Sequence, residues 1–206
     1  MKNAETPVTK IALFGAISSL GSALMAEMLR RQHEVIAIVD DLNALAPRPG
    51  LRTKTGSLFD AERVSESIAG SSAVICLLDA NVLPVGAEHD RPADDLNLHE
   101  QTLATQTLLA CMQRMDVKRL ILVGDFAGLD DSTPMSRALR ESPLDWTLVN
   151  APQGVAGLSI EHFSQTSTSL EPGLAEPLER LARVAAGIAD ELRLNLHVRE
   201  LVNFVV

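Results

Sequence analysis

Short unbroken apolar runs alternate along this chain with longer segments whose apolar residues recur every three or four positions. "KIALFG" (Lys10–Gly15) is a run of the first kind, ended by glycine, as expected of a strand buried on both faces. "SLGSALMAEMLRRQ" (Ser19–Gln32) is of the second kind. Leu20, Leu24 and Met28 are spaced by four, and Arg30 and Arg31 sit where a helix ends. "HEVIAIVDD" predicts a second buried strand that closes on Asp40 and Asp41.

The same alternation continues. "NALAPRPG" is a Pro/Gly-rich connection, "LRTKTGSL" a weaker strand, and "DAERVSESIAG" a helix with Asp60 as N-cap and Gly70 past its end. "SAVICLLD" predicts another strong strand, the polar "ANVLPVGAEHDRPADD" a loop, and residues 96–115 a long helix. "KRLILVGD" reads as a strand, "PMSRALRESP" as a short helix and "LDWTLVNAP" as the last strong central strand. Residues 153–177 lack periodicity and are expected to wrap the mouth of a cleft. "LERLARVAAGIADEL" then predicts an amphipathic helix and "HVRELVNFVV" a closing strand.

This βαβ alternation predicts an α/β fold: a doubly wound, mainly parallel sheet with helices on both faces, Rossmann-like. The 206 residues are read as one domain, 1–206, with residues 151–206 forming the cleft edge and the closing helix and strand. A 46% share of apolar residues suffices for its core.

In such a sheet a ligand sits beyond the carboxyl ends of the strands, where strand order reverses. "GAISSLG" (Gly15, Ala16, Ile17, Ser18, Ser19, Leu20, Gly21) is the turn at that place. Gly15 suits a sharp exit from the strand and Gly21 close packing of the helix. The helix N-terminus offers unpaired N–H groups to a diphosphate. A middle glycine is replaced by Ser18, whose entry into left-handed backbone would cost on the order of 1–2 kcal/mol. Ser18 and Ser19 hydroxyls directed at a phosphate would offset that cost. The turn is thus either a nucleotide cradle or a packing turn. Asp40 favours the cradle, because an acid closing the second strand accepts hydrogen bonds from an adenosine ribose and repels a 2′-phosphate. NAD is therefore expected over NADP.

Composition narrows the chemistry. A net charge of −9 repels phosphate backbones, so nucleic acid is an unfavourable partner. No apolar run approaches the roughly 18 residues of a membrane span, and "MKNAETPVTK" lacks a signal-like apolar core, so a cytoplasmic location is expected. Cys76 and Cys111 lie in apolar surroundings and read as buried, reduced thiols. His89 and His99, with Asp90, Asp94 and Asp95 between them, read as a solvated segment; no metal is expected.

Several blocks together resemble the NAD(P)-binding group of atypical short-chain dehydrogenases, which includes NmrA-like proteins and NADH–flavin reductases. "IALFGAISSLGSAL", "HEVIAIVDD", "SAVICLLDAN", "VKRLILVGDFAGL" and above all "SPLDWTLVNAP", which resembles the family's "LDWTIVRPP" block, carry the likeness. The tail "RLARVAAGIADELRLNLHVRELVNFVV" resembles the closing helix and strand. The resemblance implies a Rossmann fold and an NAD(P)H-dependent oxidoreductase. Departures are specific: Ile17 and Ser18 stand for Thr-Gly, Gly56–Ser57 for Gly-Asp, Asp40 for basic residues, and Asn150 for the arginine of "VRPP".

The chain has no tyrosine, so the Tyr–Lys pair common in the superfamily is absent. A flavin or quinone-like acceptor would fit, since a stacked nicotinamide and acceptor need mainly orientation. Leu78 and Asp79 at the end of one strand join the turn and Asp40 as expected cofactor contacts. Asn81, Gly124, Asp125, Phe126, Asn150, Ala151 and Pro152 line the acceptor side. Asp125 is the candidate proton donor, provided burial raises its pKa, and Phe126 either stacks on a ring or packs. The alternative is a non-catalytic, NmrA-like dinucleotide sensor presenting a surface to a partner. The terminal "LVNFVV" either finishes the sheet or contributes to a homodimer.

Overall fold

A computed structural model describes residues 8–78, 93–126, 128–151, 157–164 and 173–204. Its sheet is built from β1 (Lys10–Phe14), β2 (Glu34–Val39), β3 (Leu51–Thr55), β4 (Ala73–Leu77), β5 (Arg119–Gly124), β6 (Asp145–Asn150) and β7 (Glu200–Asn203). The helices are α1 (Ser19–Arg30), α2 (Ala61–Ile68), α3 (Ala93–Arg114), α4 (Pro134–Glu141), α5 (Ile160–Ser164) and α6 (Ala175–Leu194). Strand order is β3-β2-β1-β4-β5-β6-β7, and every neighbouring pair is parallel. The doubly wound architecture expected from the alternation is what forms, with the order reversing between β1 and β4.

Side-chain alternation along each strand feeds two cores. Ile11, Leu13, Val35, Ala37, Ile75 and Val123 face α1 and α6, where Leu24, Met28, Val184 and Ile188 meet them. Ala12, Phe14, Ile36, Val74, Cys76 and Leu122 face the other way, onto Val64 and Ile68 of α2, Leu108 and Met112 of α3, and Met135 and Leu139 of α4. Each Val, Leu, Ile, Phe or Met among them, once removed from water, contributes about 1.5–3 kcal/mol before entropy is counted, which is why the central strands need no polar face. Cys76 and Cys111 are buried within the second core.

Helix ends follow the capping chemistry. Asp60 accepts from the N–H groups of Glu62 and Arg63, as its position predicted, and Thr133 caps α4 ahead of Pro134. Two boundaries differ from expectation. The helix expected from residue 96 begins at Ala93, so the end of the expected loop belongs to α3; residues 79–92 lie outside those described. Residues 153–177 contain α5 and the first turn of α6. Pro177 lies in that first turn, where its missing N–H is no loss, so it does not mark a helix boundary there. No described helix is long and apolar enough to cross a membrane.

Candidate functional site

The chain leaves β1 through Gly15, whose φ of +80° provides the sharp exit. Gly21 is required for a different reason. A Cβ there would lie 2.1 Å from the Gly15 carbonyl oxygen, so only a bare backbone lets α1 start this close to the strand end.

Ser18 behaves differently from expectation. Its φ of −67° and ψ of 163° are extended, so the left-handed strain anticipated for it is absent. It is the N-cap of α1. Its Oγ donates to the Gly15 carbonyl at 2.9 Å and accepts from the Gly21 N–H at 3.1 Å. The hydroxyl is therefore turned into the protein and committed to the turn, not held out for a phosphate. Capping of this kind contributes about 1 kcal/mol. It also keeps the helix start in order: the Ser18 N–H donates to the Gly15 carbonyl, and the Ser22 N–H to the Ser18 carbonyl. Ala16, Ser19 and Leu20 are buried, whereas Ile17, at the tip, is 52% exposed.

Asp40 directly follows β2 and is exposed, with no hydrogen-bond or ion-pair partner among the described residues. Its neighbour Asp41 is occupied: Oδ1 accepts from the Asn43 N–H at 2.9 Å and from Asn43 Nδ2 at 3.1 Å. Of two adjacent acids, one builds the loop and the other is left facing solvent at the carboxyl edge. Leu78 continues β4, its N–H donating to the Val123 carbonyl at 2.8 Å, and its side chain belongs to the core. Asp79, Asn81 and Pro152 lie outside the described residues, as do His89 and Asp90.

The ends of β5 and β6 complete the same edge. Asp125 is exposed, so the burial on which its candidacy as a proton donor rests is absent. Phe126 is 3% exposed and packs in the second core, its ring over Gly124, where an added Cβ would lie 3.2 Å from Cζ. Packing, not ring stacking, is its role. Asn150, standing where the resembled family has arginine, accepts from the Phe126 N–H at 3.4 Å and donates through Nδ2 to Asn203 Oδ1 at 3.0 Å. The ends of β5, β6 and β7 are thereby pinned together. Reading the sequence missed this bridge because it depends on the β6–β7 register, which pairs Asn150 with Asn203. Among the described residues no group of three or more His, Cys, Asp or Glu converges as a metal site would require.

The turn fits a dinucleotide cradle by its own geometry: a positive φ at Gly15, no room for a Cβ at Gly21, and a side chain at Ser18 folded away from the mouth. The model of a family described as NAD(P)H-binding matches residues 15–190. Among solved structures, the oxidoreductase ylbE from Lactococcus lactis is 14% identical, with a TM-score of 0.61 over 94% of this chain and 89% of its own. The anaerobillin reductase ChuY from Escherichia coli O157:H7 is 18% identical, with a TM-score of 0.57 over 95% of this chain and 96% of its own. WbmH from Bordetella bronchiseptica, solved in complex with NAD+, is 15% identical, with a TM-score of 0.56 over 96% of this chain and 76% of its own. At these identities the structures share the fold, and the family match extends over most of the sequence. This chain belongs to the NAD(P)H-binding family.

Proposed function

We propose that the protein is an NADH-dependent oxidoreductase that holds the dinucleotide across the carboxyl ends of β1, β2 and β4 and passes hydride to a flavin or quinone-like acceptor. The observation that carries the cofactor assignment is Asp40, an exposed carboxylate that directly follows β2, the strand paired with β1, and has no hydrogen-bond or ion-pair partner among the described residues. Its two oxygens suit the 2′- and 3′-hydroxyls of an adenosine ribose. The same charge placed against a 2′-phosphate would repel it, which favours NADH over NADPH. Gly15, Ala16, Ile17, Ser18, Ser19, Leu20 and Gly21 would present backbone to the diphosphate, with the partial positive charge of the α1 N-terminus behind them.

Bound NADH would supply the hydride. The chain's own part would be orientation: the pinned ends of β5 and β6 form a rigid floor, and proximity of two stacked rings can supply several kcal/mol of the barrier. No tyrosine is available as acid or base, so acceptors whose reduction needs no protein proton donor are favoured.

A second reading is a dinucleotide sensor without turnover. It is favoured by the acceptor side, where Phe126 and Asn150 are engaged in packing and bridging and Asp125 is exposed. Calorimetric titration of ligand-free protein with NADH and NADPH, followed by NADH oxidation assays over flavins and quinones, separates the two. Tighter NADH binding with turnover supports the enzyme, and NADH binding with no turnover across the panel supports the sensor. Absence of binding to either nucleotide overturns both. Asp40→Asn should narrow the preference for NADH over NADPH; an unchanged ratio removes Asp40 from the site.

A further inference from the structure

The Pro47-Arg48-Pro49-Gly50 turn has a structural partner outside its own neighbourhood. Connections between parallel strands are usually helical, yet residues 40–50, between β2 and β3, contain no helix. The face left open is covered from elsewhere in the chain. Leu45 and Leu51 pack against the core that includes Leu158 and Ile160, and α5 lies against α1. A five-residue helix entering after β6 thus occupies ground that a β2–β3 helix would cover.

Arg48 ties the two pieces together. Its Nη2 lies 2.5 Å from Glu161 Oε1, and its Nη1 donates to Ser164 Oγ at 3.3 Å. Glu161 is itself held, because Ser159 Oγ donates to its other oxygen at 2.6 Å. That hydrogen bond, the Glu161 backbone and the Arg48 charge keep its carboxyl below the usual range. Pro47 and Pro49 fix the backbone on both sides of Arg48, so little chain entropy is lost in presenting it. Gly50 has a φ of +79°, and a Cβ on it would lie 3.1 Å from Leu29 Cδ2, so the turn seats closely on the end of α1. By contrast, residues 40–44 are exposed, and the hydrogen bonds they make run from Asn43 and Ala44 to Asp41, within the loop itself. Among the described residues, Leu45 against the core and Arg48 on α5 are what tie the loop side chains to the rest of the chain.

We propose that Arg48 is a positioning residue for the adenosine half of the dinucleotide: by latching the Asp40 loop to α5, it holds that carboxylate at its distance from the Gly15–Gly21 turn. The inference rests on the dinucleotide reading above. Arg48→Ala removes the latch and Glu161→Gln removes its charge, and circular dichroism checks that both remain folded. Each variant is expected to bind NADH and ADP-ribose about two- to fivefold more weakly, the scale of a partly exposed ion pair. Nicotinamide mononucleotide, which lacks the adenosine half, should compete for the site as well as it does in wild type. The double variant should be no weaker than Arg48→Ala alone, since both substitutions cut the same link. Unchanged ADP-ribose affinity in both folded variants overturns the latch while leaving the dinucleotide reading intact. Equal loss for nicotinamide mononucleotide also overturns it, by showing a general loosening. Wild-type protein that binds no NADH overturns the dinucleotide reading and the latch with it.

Discussion

The Arg119 guanidinium and the Glu191 carboxylate meet at 3.1 Å, both buried, at the amino edge of the sheet opposite the β1–α1 turn. Around them the chain closes a network. Arg119 Nη1 donates to Thr147 Oγ1 at 2.8 Å and to the Asp145 carbonyl at 3.0 Å. Glu191 Oε1 accepts the His197 N–H at 3.0 Å, and its Oε2 lies 2.8 Å from His197 Nδ1. Burial pulls the Arg119 pKa down from its ordinary value, and the Glu191 charge works against that fall. This cluster joins β5, β6, α6 and the turn into β7.

Removing one charge from such a pair leaves the other buried and unpaired. Glu191→Gln is therefore expected to destabilise the fold by roughly 3 kcal/mol in urea unfolding. Replacing both partners, Arg119→Met with Glu191→Leu, should cost less than either single change. A double variant as unstable as the sum of the singles would show that the pair is not a coupled unit.

His33, 5% exposed, accepts the Thr9 N–H through Nδ1 at 3.3 Å. Burial first, and the Arg31 charge second, lower its pKa below the ordinary value of 6.5. The unfolded chain then binds this proton more readily than the folded one. The stabilisation is present above pH 6.5 and is lost as pH falls from there toward the folded value. Melting temperatures recorded from pH 8 down to about 5 should fall less steeply in His33→Asn than in wild type. Parallel curves would rule His33 out as a source of the slope.

Ser18 is a cap, so its loss should register in stability before it registers in binding. Ser18→Ala should cost about 1 kcal/mol and Ser18→Gly only a few tenths. NADH affinity should be unchanged in Ser18→Gly, because the hydroxyl already serves Gly15 and Gly21. A large loss of affinity in that variant would mean that the hydroxyl reorients onto the ligand.

Gly21→Ala forces a methyl against the Gly15 carbonyl, at 2.1 Å in the present geometry. Pushing α1 away should cost about 1–3 kcal/mol and abolish dinucleotide binding, read by denaturant melts and calorimetry. Undiminished NADH binding would detach the ligand from this turn.

Much of this was legible in the sequence for one physical reason: strands buried on both faces must be apolar without interruption. β1, β2, β4 and β5 announce themselves in that way, and Asp40 is conspicuous as the charge that ends such a run. The direction of a hydroxyl is another matter. Ser18 in a glycine's place suggested strain, whereas the turn puts the positive φ at Gly15 and uses serine as a cap. α5 is five residues long and buries only Ile160 within the helix, too little for a period to show. Arg48 with Glu161, and Asn150 with Asn203, are joined across 113 and 53 residues, distances that local patterning does not encode.

The packing of α1 against α6 has a consequence for how the chain comes to be folded. Arg31 and Asp190, whose side chains meet at 2.7 Å at the foot of these helices, are 159 residues apart. During synthesis, Leu24, Met25 and Met28 emerge long before the helix that covers them. One side of the nascent sheet must wait, its apolar surface open to other chains, until α6 has been made. Non-local closure of this kind slows folding and exposes intermediates to aggregation. The Gly15–Gly21 turn, at the head of α1, is thus backed by a helix that lies more than 150 residues further along the chain.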